Sequence, residues 1–143
     1  MEQKIIESNS LIAEFMEAIP EQWYPESKMY KQSGKHYSFP RSTEYPDNKR
    51  FHSDNLLKYH TDWNWLMQVV EKIETLYDNN DGKYGVYISS NCCNIQGTNL
   101  AKALIPDSLY KNVYFDQVYT EKKIESVYNA VVNFINYYNK REA

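Results

Sequence analysis

Nine side chains between Lys35 and Trp65 are the types that would recognise a small anion carrying an aromatic base. Lys35, Arg41, Lys49 and Arg50 supply cationic donors for phosphate oxygens, arginine as a planar fork and lysine as a point charge. Tyr37, Tyr45, Trp63 and Trp65 supply rings on which a base can stack, and His60 titrates near neutral pH. The charge around them is uneven. Residues 28 to 60 hold seven Lys and Arg against three Asp and Glu, +4, although the whole chain is −3 and the remaining residues sum to −7. A basic island on an acidic body attracts anions. The competing reading of the same residues is a solvated loop whose rings simply pack on the domain.

Other chemistries fit less well. His52, His60, Cys92 and Cys93 are metal-ligating types, but neighbouring cysteines on a strand point to opposite faces, and the chain has no CxxC or HExxH element. No metal or other cofactor is expected, and the cysteines read as small buried hydrophobes with no disulfide framework. A nucleophile drawn from Cys92, Cys93, Ser89 or Ser90 would need a histidine base and an oxyanion hole. No nucleophile elbow and no glycine-rich loop is visible, since Gly34, Gly82, Gly85 and Gly97 are the only glycines. Asp62 beside His60 reads as a helix cap, and Glu71 with Glu74 as a solvated helix face. The chain is therefore expected not to be an enzyme, with a hydrolase using His60 or Cys92 as the catalytic alternative. Duplex nucleic acid is not expected as a partner, because both strong helices are neutral to acidic in their middles.

The elements that must position these residues follow from periodicity. At 143 residues the chain has the length of one domain, and 14 tyrosines against 5 phenylalanines give it rings with polar tips, suited to half-buried positions. Leu11, Ile12, Phe15, Met16 and Ile19 predict a helix over 10–19 that stops at Pro20, with Ile5 extending the stripe by a turn. From 20 to 60 the pattern is lost, and the segment is expected to be irregular or stranded around Lys35 to Phe39. A second helix is predicted over 62–77, capped by Thr61 or Asp62, with Leu66, Val69, Val70, Ile73, Leu76 and Tyr77 on one face. Trp63 and Trp65 cannot both join that face, so one indole should lie under the preceding basic segment. A turn at Asn79 to Gly82 leads to a strand over 84–89, a turn at Ser90 and Asn91, a return strand over 92–96 and a third strand over 113–119. A final helix is predicted over 121–140, capped by Thr120, with an apolar face wide enough to be central in the fold or to meet another subunit. The result is one α+β domain, residues 1–143, in which three helices pack around a small antiparallel, hairpin-based sheet.

Three segments carry a resemblance: NSLIAEFMEAI at 9–19, LKYHTDWNWLMQVVEKIETL at 57–76 and KIESVYNAVVNFINYYN at 123–139. In that order and at those separations they resemble small uncharacterised proteins encoded by phages and mobile elements of gut Bacteroidetes. The middle segment there reads like YHSSWDWLMPVVEKIE. Thr61, Asp62 and Asn64 vary its start here, and Gln68 replaces a proline, which suits a helix interior better. The resemblance transfers no functional residues. It implies a setting, that of an accessory or counter-defence factor binding a host protein or signalling molecule.

The expected function is non-catalytic sequestration of a small anionic, nucleotide-like ligand by residues 28–65. The alternative is an interaction factor that inhibits a host protein through a tyrosine-rich surface, since Tyr, Trp and Arg also concentrate at interface hot spots. The expected location is the cytoplasm of the host cell, and no membrane-spanning run is present. Self-association, if any, is expected through the final helix.

Overall fold

The computed structural model describes residues 2–22, 35–40, 51–78, 82–98, 100–107 and 113–143. Arg41, Tyr45, Lys49, Arg50 and residues 79–81 of the turn expected from Asn79 to Gly82 lie outside the described residues. Among the described residues the chain is α+β, as its sequence predicts, with four helices and two three-stranded antiparallel sheets in place of one. It divides into two compact units, Met1–Leu66 and Met67–Ala143.

In the first unit, α1 spans Gln3–Phe15 and buries Asn9, Ile12 and Ala13. It begins earlier than the apolar stripe and ends four residues before Ile19. The stop is made by backbone geometry at Glu17, whose φ of 67° is left-handed. The Glu17 amide donates to Glu14 O and the Ala18 amide to Ala13 O, both at 3.0 Å, which closes the helix in a Schellman motif without the usual glycine. The chain is thus turned out of the helix before Pro20 is reached. Ile19, although in phase with the stripe, starts a strand and is exposed.

Strands β1 (Ile19–Gln22), β2 (Lys35–Ser38) and β3 (Phe51–Ser53) form the first sheet in that spatial order. Tyr37 lies opposite Pro20 on one side and His52 on the other. The middle strand is the one the sequence predicts. The flanking strands escape sequence reading because β3 is only three residues long, and because Pro20 argues against a strand except at an edge, which is where β1 lies. A 3₁₀ turn at Asp54–Leu56 then delivers Leu57 and Tyr59 to the core.

Helix α2, Trp63–Thr75, starts at the end of this unit. Asp62 is its cap, accepting the Asn64 amide on Oδ1 at 2.8 Å. Leu66, Val69, Val70 and Ile73 are buried as the spacing predicts. Tyr77 falls beyond the helix, where it bridges Lys83 as an extended residue and is exposed.

The second unit holds β4 (Tyr84–Ile88), β5 (Cys92–Gly97) and β6 (Phe115–Tyr119), with β5 central. All three strands are expected from sequence, β4 by its alternation, β5 as its return and β6 as their third partner, β6 beginning two residues later than expected. The β4–β5 turn at Ser90 and Asn91 is closed by the Ser89 amide on Cys92 O at 2.9 Å. A short helix, α3 (Leu100–Ala103), was not expected. Helix α4 spans Lys123–Glu142, two residues later at each end than predicted. Thr120 does not cap it, because its hydroxyl donates to Lys122 O at 2.6 Å instead of accepting a helix amide. The helix packs along β5 and β6 and buries Val127, Tyr128, Val131, Phe134 and Ile135. Its wide apolar face is therefore spent largely within the fold.

Candidate functional site

In the first unit, the rings of the basic, aromatic segment converge on Trp65, which is 1% exposed. Tyr59 meets the indole at 5.2 Å between ring centroids, His52 at 4.9 Å and Phe39 at 6.1 Å, each edge to face. Such pairs contribute about 0.5–1.5 kcal/mol beyond their area burial. Trp65 is thus the indole that fastens this segment to the helix. Trp63, two residues earlier and about 200° away around the helix, is 37% exposed. Tyr37 is fully buried on the central strand. Its hydroxyl lies beside the Ser10 side chain without a hydrogen bond of ordinary geometry, and burial pushes its phenol pKa up.

Tyr37 and Trp65, expected to stack a ligand, are therefore core residues, and neither presents a ring face to solvent. Lys35 is exposed, with its backbone amide donating to Asp54 Oδ2 at 3.3 Å. His60 is half-buried and hydrogen-bonded to Asn9, and its burial lowers its pKa. Of the expected set, only Lys35, His60 and Trp63 are both described and reachable from solvent.

The second unit presents a different surface, which the sequence reading passed over. Alternation along β4–β6 divides the sheet into two faces. The inner one carries Tyr84, Cys93, Ile95 and Asp116; Tyr84 packs edge to face on Phe134 of α4 at 4.8 Å, and Asp116 Oδ2 accepts from Asn133 at 3.0 Å. Burial pushes the Cys93 thiol up to about 12, with the neighbouring Cys92 and Asp116 adding to the shift. The outer face is set by register: Gly85, Gln96 and Phe115 form one row, Tyr87, Asn94 and Gln117 the next, and Cys92 with Tyr119 a third. Its rings are open, with Tyr87 56% exposed, Phe115 48% and Tyr119 66%.

Local chemistry orders this outer face. A Cβ on Gly85 would lie 2.8 Å from Cε2 and Oη of Tyr87, so the absence of a side chain at 85 is what allows the Tyr87 ring to lie along its own strand. Cys92 donates to Asn94 Oδ1 at 3.4 Å and accepts from Gln117 Nε2 at 3.6 Å, and Gln117 also donates to the Tyr119 hydroxyl. None of these outward positions is Asp, Glu, Lys or Arg, in a chain where those types make up 24% of residues. The signal in the sequence was the alternation of Phe115, Gln117 and Tyr119 in phase with Tyr87. It indicates a face without indicating whether that face is covered.

Among the described residues, the Cys92 thiol is held by the amides of Asn94 and Gln117, and Cys93 is fully buried. No group of three or more His, Cys, Asp and Glu side chains gathers among the described residues, and no helix among them is long and apolar enough to cross a membrane. Comparison with protein-family models, curated proteins and solved structures gives no significant match.

Proposed function

We propose that this protein acts by binding another protein, without catalysis, and that the outer face of β4, β5 and β6 is its contact surface. Within the setting that the sequence resemblance implies, it is an accessory or counter-defence factor. The observation that carries this reading is the grouping of Tyr87, Phe115 and Tyr119 on one uncovered sheet face. Large rings are left in water at a cost of about 25 cal/mol for each Å² of apolar surface, and a partner recovers that cost. Tyrosine is also a residue type in which interface energy concentrates. Affinity capture tests the reading, using tagged protein from cells that also express an untagged copy. Wild type should retain a stoichiometric protein partner, and Tyr119→Lys and Phe115→Ala should lose it. The reading fails if capture is the same for wild type and both variants.

A second reading, sequestration of a nucleotide-like anion by residues 28–65, is favoured by the exposure of Lys35 and Trp63. With Tyr37 and Trp65 in the core, the stacking role among the described residues falls to Trp63. Salt-sensitive quenching of tryptophan fluorescence by a nucleotide, lost in Trp63→Phe, would support it. Unchanged fluorescence at saturating nucleotide would eliminate it.

A further inference from the structure

We infer that the partner adds an extended segment to the free edge of β6, and that this segment carries a lysine or arginine opposite Asp116. This rests on reading the sheet as a contact surface, and it names the chemistry of what the sheet holds. Register fixes which backbone groups the edge offers. The Gly97 amide donates to Tyr114 O and the Thr120 amide to Asn91 O, each at 2.9 Å, just beyond the two ends of the β5–β6 pairing. Hydrogen-bonded pairs alternate along an antiparallel ladder, so Asp116 and Val118 also turn their backbone groups toward β5. Phe115, Gln117 and Tyr119 turn theirs away. β6 lies at the border of the sheet, and those outward amides and carbonyls meet no backbone partner among the described residues. The strand pairs without a bulge and holds no proline or lysine, the usual guards of an edge. The opposite border, β4, is partly closed, because the outward amide of Tyr84 donates to Leu76 O at 3.3 Å. An extended backbone is the chemistry that satisfies a row of alternating N–H and C=O groups.

Asp116 decides the composition of that segment. It is half-buried on the face that packs against α4, where its Oδ2 accepts from Asn133 at 3.0 Å, and no cation lies within ion-pair distance of it among the described residues. An added antiparallel strand sets one residue directly across from Asp116 in a non-hydrogen-bonded pair, the arrangement that brings side chains closest. A cation there pairs with the carboxylate, and an acid is repelled. A second copy of β6 does not meet this requirement. Antiparallel pairing about Gln117 places Val118 of the other copy across from Asp116, and pairing about Asp116 sets two carboxylates against each other. On the outer face, alternate side chains of the segment lie beside Phe115 and Tyr119, both exposed.

Amide NMR of the full chain tests the proposal with a synthetic probe, the capped peptide Thr-Val-Thr-Lys-Thr-Val-Thr, and its counterpart with Glu in place of Lys. The Lys peptide should slow hydrogen exchange at the amides of Phe115, Gln117 and Tyr119, and should bind at least about threefold more tightly than the Glu peptide. Asp116→Asn, which keeps an acceptor for Asn133, should remove that preference. Methylating the peptide nitrogens that face β6, at its third and fifth residues, should abolish the protection, and this control requires no protein variant to fold. Protection of the three amides in the protein alone, rising with its concentration, identifies a second copy as the occupant and overturns the proposal. Shifts confined to the outer face around Tyr87 and Asn94, or no response to either peptide, overturn it as well. The function proposed above is judged separately by affinity capture. If folded Gln117→Pro, which deletes an edge amide not bonded to β5, keeps a partner that Tyr119→Lys loses, the face stands as the contact surface and the edge does not.

Discussion

Asn9 and His60, 51 residues apart in sequence, are joined by a hydrogen bond of 3.1 Å between Asn9 Nδ2 and His60 Nδ1. The same amide nitrogen donates to Leu57 O, also at 3.1 Å. Because Nδ2 only donates, His60 Nδ1 is the acceptor, and the neutral ring carries its proton on Nε2. Asn9 itself is fully buried. One side chain of α1 thereby ties down the loop that leads into α2.

This bond sets a pH dependence. Burial lowers the His60 pKa below its ordinary 6.5, and His36 is shifted the same way by burial, with Asp54 opposing. The native state therefore favours the neutral rings. Their contribution to stability is complete above about pH 6.5 and is lost as pH falls through the native-state values, because the unfolded chain takes up protons first. Urea unfolding should show stability decreasing from about pH 7 to about pH 5. His60→Gln, which keeps an acceptor for Asn9 but does not titrate, should reduce that slope, leaving the part due to His36.

At the end of α1, Glu17 holds a left-handed conformation in which a side chain is strained. Its own side chain is exposed. Glu17→Gly should relieve about 0.5–1 kcal/mol of net strain after the entropy cost of glycine, and raise the urea midpoint at unchanged slope. An unchanged or lower midpoint would show that Glu17 makes up for its backbone in some other way.

Arg141, in the last turn of α4, donates to the Tyr84 hydroxyl and to the Tyr77 carbonyl at 3.1 Å, while its guanidinium lies 5.0 Å from the Tyr138 ring centroid. Arg141→Ala should cost about 1–2 kcal/mol, because a buried phenol and a carbonyl both lose a charged donor. Arg141→Lys should recover less than half of that, since a single ammonium cannot reproduce the fork. By contrast, Glu142→Gln should stay within about 0.5 kcal/mol, because its ion pair with Arg141 is exposed. Chemical denaturation of the three variants gives the comparison directly.

Cys93 should resist alkylation for as long as the sheet stays folded. Cys93 is fully buried with its thiol pushed up to about 12, so at neutral pH it is protonated as well as inaccessible. Alkylation followed by peptide mass spectrometry should leave Cys93 unmodified in native protein and modify it in urea. Labelling of Cys93 under native conditions would mean that the β4–β6 sheet opens far more readily than its packing on α4 implies.

Periodicity alone determined the parts of this fold that bury one continuous stripe. Helices α2 and α4 were legible because Leu66, Val69, Val70 and Ile73, and then Val127, Val131, Phe134 and Ile135, repeat at helical spacing, and β4 because its residues alternate, with β5 following from the turn at Ser90 and Asn91. The end of α1 was not legible, because it depends on a left-handed residue that happens not to be glycine, and the strand at Ile19 was not, because its apolar residue stayed in phase with the helix before it. Tertiary structure decided which rings are core and which are surface. Tyr37 and Tyr87 are each the next-to-last residue of a four- or five-residue strand, yet one is fully buried and the other 56% exposed. Trp63 and Trp65 divide in the same way. The period of a strand or helix assigns a side chain to a face, but only the elements that pack against that face determine whether it is covered. For this chain that packing withdraws Tyr37 and Trp65 into the core and leaves Tyr87, Phe115 and Tyr119 open.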